Sequence, residues 1–184
     1  MKFLLMLVLS VSLFASDTVL NFDAAQSKVN WTLNTVLHTV HGTFQFKSGT
    51  IHFDATTGKA SGALVVDARS GESGNGSRDQ RMHQSIIESG KFTEILFTPD
   101  QVEGRVPEVG TAMLKIHGIF TLHGVAHEVT MPVEVKVEAG QMAVSSTFKI
   151  PYVSWGLKNP STFLLRVNDN VDIAFQSVGR ILSH

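Results

Sequence analysis

Residues Thr111–Glu138 read TAMLKIHGIFTLHGVAHEVTMPVEVKVE. In the second half, Val129, Met131, Val133, Val135 and Val137 alternate with Thr130, Pro132, Glu134, Lys136 and Glu138. Side chains along a strand point to opposite faces in turn, so a period of two gathers the apolar residues on one face. The first half keeps the pattern: Leu114, Ile116, Phe120 and Leu122 share one parity, against Lys115, His117 and Thr121. Gly118 and Gly124 mark bends or turns within it. Pro132 falls on the polar parity and removes one ladder donor, which predicts an edge or a bulge at that point. Long strands with one apolar and one polar face belong to antiparallel sheets.

Working outward, the same alternation recurs. Val29, Trp31 and Leu33 alternate with Asn30, Thr32 and Asn34, and Phe44 and Phe46 with Gln45 and Lys47. Gly42, between these two runs, predicts a bulge or tight bend. Ile51 and Phe53 follow the turn KSGT, and Gly62 to Ala68 follows ATTGK. Met142, Val144, Ser146, Phe148 and Ile150 share a face, and Val171 to Phe175 forms another strand. Roughly eight or nine strands joined mainly by short turns make an all-β barrel or sandwich, and long strands bent at glycines suit a closed barrel slightly better.

One segment breaks the pattern. RSGESGNGSRDQRMHQSIIESGKFTEILF, Arg69 to Phe97, reads as a Gly/Ser-rich loop, one short helix and a return to strand. Gly71 to Ser77 is expected to be a flexible lid. Arg78 to Ile87 places Met82 and Ile86 at helical spacing, and Gly90 is the expected stop. Ser77 or Asp79 at the helix start satisfies free N–H groups, which accounts for the Arg78-Asp79 pair without catalysis.

The chain opens MKFLLMLVLSVSLFAS. One lysine, an apolar run and small residues before Asp17 form the three regions of a secretory signal peptide, expected over residues 1–16 and cleaved after Ala15 or Ser16. Leu4 to Phe14 is too short for the ~20 residues of a membrane anchor. Residues 17–184 suit a single domain with a real core. With a formal charge of −1 and scattered basic residues, nucleic acid is not an expected partner. The chain has no cysteine, so an exported form is stable without disulfides.

Candidate chemistry centres on histidine. His41, His123 and His127 are the expected ligands if the protein is instead a His-based metal-binding protein or a metal-dependent periplasmic enzyme, since a tight hairpin at Gly124 could bring the last two together. HGVAHEV is not the helical HExxH of zinc proteases, and no GxSxG elbow or phosphate loop is present. Twelve phenylalanines against one tyrosine are the other signal. On the inward parity they fill a core or line an apolar cavity, and periodicity does not decide which.

Four stretches resemble, in order, the YceI-like, polyisoprenoid-binding family of bacterial periplasmic proteins. They are Arg78, Asp79, Met82, Ser85, Lys91, Phe92, Ile95 and Phe97; HTVHGTF at His38–Phe44; IFTLHGVAHEVTMPV at Ile119–Val133; and SWGLKNP at Ser154–Pro160 with VNDNVDIAF after it. The chain departs from the family at Thr93, where proline is usual, and at Ile87, where an aromatic is common. The resemblance implies a lipocalin-like antiparallel β-barrel of about eight strands with one short helix, housed in the periplasm, without catalysis or cofactor. Its expected ligand is a polyisoprenoid or other long-chain amphiphile, quinone-type or polyprenyl. Trp31, Leu33, Phe44, Phe46, Phe97, Ile116, Phe120, Met131, Val133, Phe148 and Phe175 are the candidate lining. Transient membrane contact and a homodimer are both compatible with that reading.

Overall fold

The computed structural model describes residues 17–163 and 165–183; the expected signal peptide lies outside the described residues. Among the described residues nine strands run in order: β1 (Asp17–Phe22), β2 (Lys28–Asn34), β3 (Thr39–Asp54), β4 (Ala60–Glu72), β5 (Glu94–Glu103), β6 (Gly110–Leu122), β7 (Val125–Glu138), β8 (Gln141–Ile150) and β9 (Val171–Ser183). They form one antiparallel sheet whose first and last members meet. β3 pairs with β4, and both β1 and β2 pair with β3 on one side and β9 on the other. β1 and β2 therefore share one position, and nine strands make an eight-position closed barrel. Between them a 3₁₀ turn at Ala24–Gln26 is capped by Asp23, whose carboxylate accepts from Ala25 N–H at 2.9 Å. The choice between barrel and sandwich is settled by that closure.

The opening stretch forms the β6–β7 hairpin, in register from Gly110–Val137 to Leu122–Val125. Its two-residue turn is His123-Gly124, with φ of 53° and 74°, the double left-handed geometry that matches strand twist. Counting back from that turn, Pro132 opposes Lys115 at a non-hydrogen-bonded pair, so its missing N–H faces β8. There β7 has already left β8: their register ends at Glu134–Ser145, and the Pro132 carbonyl instead accepts from Ser146 Oγ at 2.6 Å. Proline sits at an edge, as its chemistry demands.

Two local expectations are corrected and a third is met on the other side of its strand. Gly42 makes no bulge with β2, but the register of β3 against β4 shifts just beyond it, between Thr43 and Gln45. Gly42 itself pairs directly with Trp31, and a Cβ there would fall 2.3 Å from the indole and 2.2 Å from the Glu72 carbonyl oxygen. The expected lid begins as strand: β4 continues through Glu72, and Gly71 is buried with the Phe44 ring and Met82 against it. The helix starts earlier and ends differently. α1 (Gly76–Arg81) is capped by Asn75, which accepts from Arg78 N–H at 3.0 Å, and passes into a π-helical turn at Met82–Ile86. The left-handed residue that ends it is Glu88, φ 49°, not Gly90.

Inward residues pack as two clusters. One gathers Leu20, Phe53, Leu114, Val133, Val135 and Met142. The other joins Phe120, Leu122 and Ile150 to Tyr152 and Leu157. The latter pair belongs to the segment between β8 and β9, which folds over the end of the barrel that also carries α1.

Candidate ligand cavity

The barrel is not packed solid. A cavity of about 1200 Å³ runs through its interior, beyond the roughly 300–1000 Å³ of common small-molecule sites. β6, 13 residues long, spans roughly 30 Å of barrel axis at ~3.3 Å per residue and ~40° tilt. The wall is built by strand alternation: Trp31 and Leu33 on β2, Phe44 and Phe46 on β3, Phe97 on β5, Ile116 and Phe120 on β6, Met131 and Val133 on β7, Phe148 on β8 and Phe175 on β9 all face this one space. Phe46 and Phe175 meet at 5.7 Å, and Phe120 lies 6.1 Å from Phe148 in edge contact.

Sequence reasoning passed over much of the wall. β4 contributes Leu64 and Val66, β7 also Val135 and Val137, and α1 with its π turn contributes Arg78, Arg81, Met82 and Ile86. Val135 and Val137 share the inward parity of Val133, and that alternation is the signal that places them in the wall. Tyr152 and Leu157 carried no periodic signal at all.

Polar groups in the wall are few, and its two buried hydroxyls are bonded to backbone carbonyls. Ser146 Oγ is bonded to Pro132, and the Tyr152 hydroxyl donates to the Asn168 carbonyl at 2.7 Å. Burial, with the Asp169 carboxylate nearby, pushes that phenol up to about 12, so it stays a neutral donor. Trp31 Nε1, buried in the wall, has no acceptor among the described residues. Apart from these, polar lining gathers at the helix end, where Thr35, His38, Ser77, Arg78 and Arg81 ring the opening, against Thr18 and Glu108 at the far end.

The three candidate metal ligands do not converge. His41 is exposed on β3, with Nδ1 3.1 Å from Thr32 Oγ1. His127 stacks on Trp155, ring centroids 4.0 Å apart and 3° from parallel. His123 Nε2 lies 2.5 Å from Glu88 Oε2, and its ring packs 4.2 Å from Phe92. Among the described residues no group of three His, Cys, Asp or Glu is placed to hold an ion. Each histidine meets a partner on a different element, and His127 does so through its ring alone, its buried Nε2 having no hydrogen-bond partner among the described residues.

The Glu88–His123 pair instead seats the helical segment on the β6–β7 turn. The hydrogen bond from His123 holds the Glu88 carboxyl below its ordinary 4.5. A lowered carboxyl contributes stability that is complete above the ordinary value and lost as pH falls through the folded one. Amide protection factors in residues 76–93 are therefore expected to drop on acidification below about 4.5 while strand amides stay protected, as hydrogen exchange would record. Glu88→Gln is expected to diminish that step; a step of equal size in the variant would refute the assignment. Ile87, one of the two departures, is buried and lines the cavity, so the smaller residue keeps the seat apolar.

Comparison with known proteins agrees with this architecture. A family model described as YceI-like domain matches residues 20–178. A UPF0312 protein of Vibrio vulnificus is 31% identical over 140 residues, 74% of this chain and 71% of that protein. Among solved structures, Burkholderia cenocepacia BcnA superposes with a TM-score of 0.72 at 19% identity, covering 85% of this chain and 98% of that one. A polyisoprenoid binding domain from Saccharophagus degradans, implicated in plant cell wall breakdown, gives 0.65 at 17% identity over 88% and 97%. Closed antiparallel barrel, apolar interior and a match across nearly the whole described chain lead to one assignment: this chain belongs to the YceI-like domain family.

Proposed function

We propose that the protein is an exported, periplasmic, non-catalytic carrier for a long-chain isoprenoid lipid of the polyprenyl or quinone type. Its hydrocarbon chain would lie in the barrel and its polar end at the helix-end opening. The observation that carries this reading is the continuous cavity of about 1200 Å³ with an almost wholly apolar wall. A hydrocarbon chain has no hydrogen-bonding groups, so binding must come from buried carbon. At ~0.8 kcal/mol per CH₂, ten such groups give on the order of 8 kcal/mol, part of it offset by association costs. The polar end follows from the lining: hydroxyl, imidazole and guanidinium groups concentrate at one opening. The two buried hydroxyls of the wall, Ser146 and Tyr152, are tied to backbone carbonyls. Likeness to a domain that binds polyisoprenoid supports the ligand class. The apolar start of the chain, MKFLLMLVLSVSLFAS, supports export.

Organic extraction of the purified protein followed by mass spectrometry is expected to yield a long-chain isoprenoid, or stoichiometric uptake when one is offered in detergent micelles. A preparation that carries none and takes none up would end the proposal.

A further inference from the structure

Among the described residues, Val36 and Leu37 are 68 and 75% exposed and Phe163 fully so. These three occupy two loop tips that the fold ties side by side. Val36 N–H donates to the Arg166 carbonyl at 3.2 Å, Thr35 bridges Val167, and Asn168 N–H reaches Asn34 O at 3.0 Å. Each tip is itself a fastened turn. Thr35 Oγ1 accepts from Leu37 N–H at 3.2 Å and His38 N–H at 3.0 Å, and Thr162 N–H donates to Leu165 O at 2.9 Å, leaving Phe163 at the apex. These fastened turns hold three apolar side chains in water side by side, whereas Val109 and Met113 are exposed at the opposite end of the barrel.

The tips are continuous with the cavity. Thr35, Leu165 and Val167, which flank them, line the helix-end opening. The charged groups of that opening are Arg78 and Arg81, and Arg166 stands on the second tip. Arg78 and Asp79 are both tied to Ser73, whose Oγ accepts from Arg78 Nε at 2.7 Å and donates to Asp79, and Asp169 accepts from Asn159 Nδ2 at 2.6 Å. Glu108, the acidic residue of the lining, is at the far end.

Aromatic and aliphatic tips beside arginines suit the interfacial layer of a membrane, where rings and chains enter the acyl boundary and guanidinium groups meet phosphates. Three side chains on two narrow tips fall well short of the ~800 Å² per partner of a stable protein interface. We infer that this rim docks on a bilayer bearing anionic headgroups, with Val36, Leu37 and Phe163 inserted and Arg81 and Arg166 facing lipid phosphate. The inference rests on the carrier reading: the opening is pressed to the surface from which its ligand comes, and the hydrocarbon passes without crossing water.

The test uses residues 17–184, which contain the whole described barrel, so that the apolar start of the chain does not itself bind vesicles. Sedimentation with phosphatidylcholine vesicles containing phosphatidylglycerol is compared for the parent and a Val36→Ser, Leu37→Ser, Phe163→Ser variant. The parent is expected to bind, more weakly as salt is raised and the ~10 Å screening length of 0.1 M shortens, and the variant to bind about tenfold less or worse. Unaltered melting and unaltered uptake from detergent micelles would show that the barrel and its cavity are intact. Equal binding by both proteins, or no binding by the parent, overturns the docking surface. So does a variant that only changes a dimer into a monomer in the ultracentrifuge. Micelle uptake tests the carrier reading separately and survives such a failure.

Discussion

The double variant Ile116→Trp, Val144→Trp is expected to fold and to take up no more than about a tenth of the long-chain lipid that the parent takes up. Both residues are half-buried and face the cavity, from β6 and β8 on either side of β7. Ile116 lies opposite Met131 and Val144 opposite Val135, so the two indoles project from neighbouring stretches of wall. A ligand threaded along a tube is stopped by blocking its cross-section, and the whole volume need not be filled. Because the new rings enter empty space, the overpacking cost of a solid core, about 1–3 kcal/mol, is largely avoided. Melting temperature should hold or rise while lipid recovered by extraction falls. Uptake equal to the parent's with the variant folded would mean that the cavity is not where the lipid sits.

A single methyl group at Gly42 is expected to destabilise the barrel by about 3 kcal/mol, which lowers the melting temperature by roughly 6–12 °C. The added Cβ would fall 2.2 Å from the Glu72 carbonyl oxygen and 2.3 Å from the Trp31 indole. Neither gives way easily. The carbonyl belongs to the β4 backbone at its pairing with β3, and Trp31 is buried in the cavity wall. Trp31 is one of only two tryptophans, so its displacement should also shift the emission spectrum. Gly76→Ala is the matched control: nothing lies within 4 Å of its Cβ and it sits in α1, where alanine is favoured by about 0.5–1 kcal/mol. Chemical denaturation of the two variants reads the difference; a Gly42→Ala protein as stable as Gly76→Ala would refute the close approach.

These two sites also show how far the sequence could be read. Period-two alternation identified inward residues such as Ile116 and Phe148, because strand geometry fixes parity without reference to the rest of the fold. It could not show that the interior is open, since a packed core and a hollow one share that parity. Gly42 was noticed as an interruption, but its cause is Trp31 across the strand pair, a neighbour 11 positions away along the chain. The helix boundary was misplaced for a similar reason. Glu88 accepts a left-handed backbone because His123, from a distant hairpin, holds its side chain. Histidines that local spacing grouped as ligands were separated by partners supplied from Glu88, Trp155 and Thr32. Tyr152 and Leu157 lie outside any strand, so no periodicity pointed to them.

The shared stave of β1 and β2 has a kinetic consequence. β1 pairs along its length with β9, so that Thr18 meets Ser183 and Leu20 meets Ile181. During synthesis β1 and β2 can pair with β3 as soon as it follows them, but their other edge, and the free edge of β8, wait until residues 171–183 arrive. Pairings this distant along the chain form late and slowly. Until they form, the ring is an open sheet with two long apolar-faced margins, the kind of intermediate that associates with its own copies. The final strand thus acts as a latch: a chain shortened there would be an aggregation hazard out of proportion to the few residues lost.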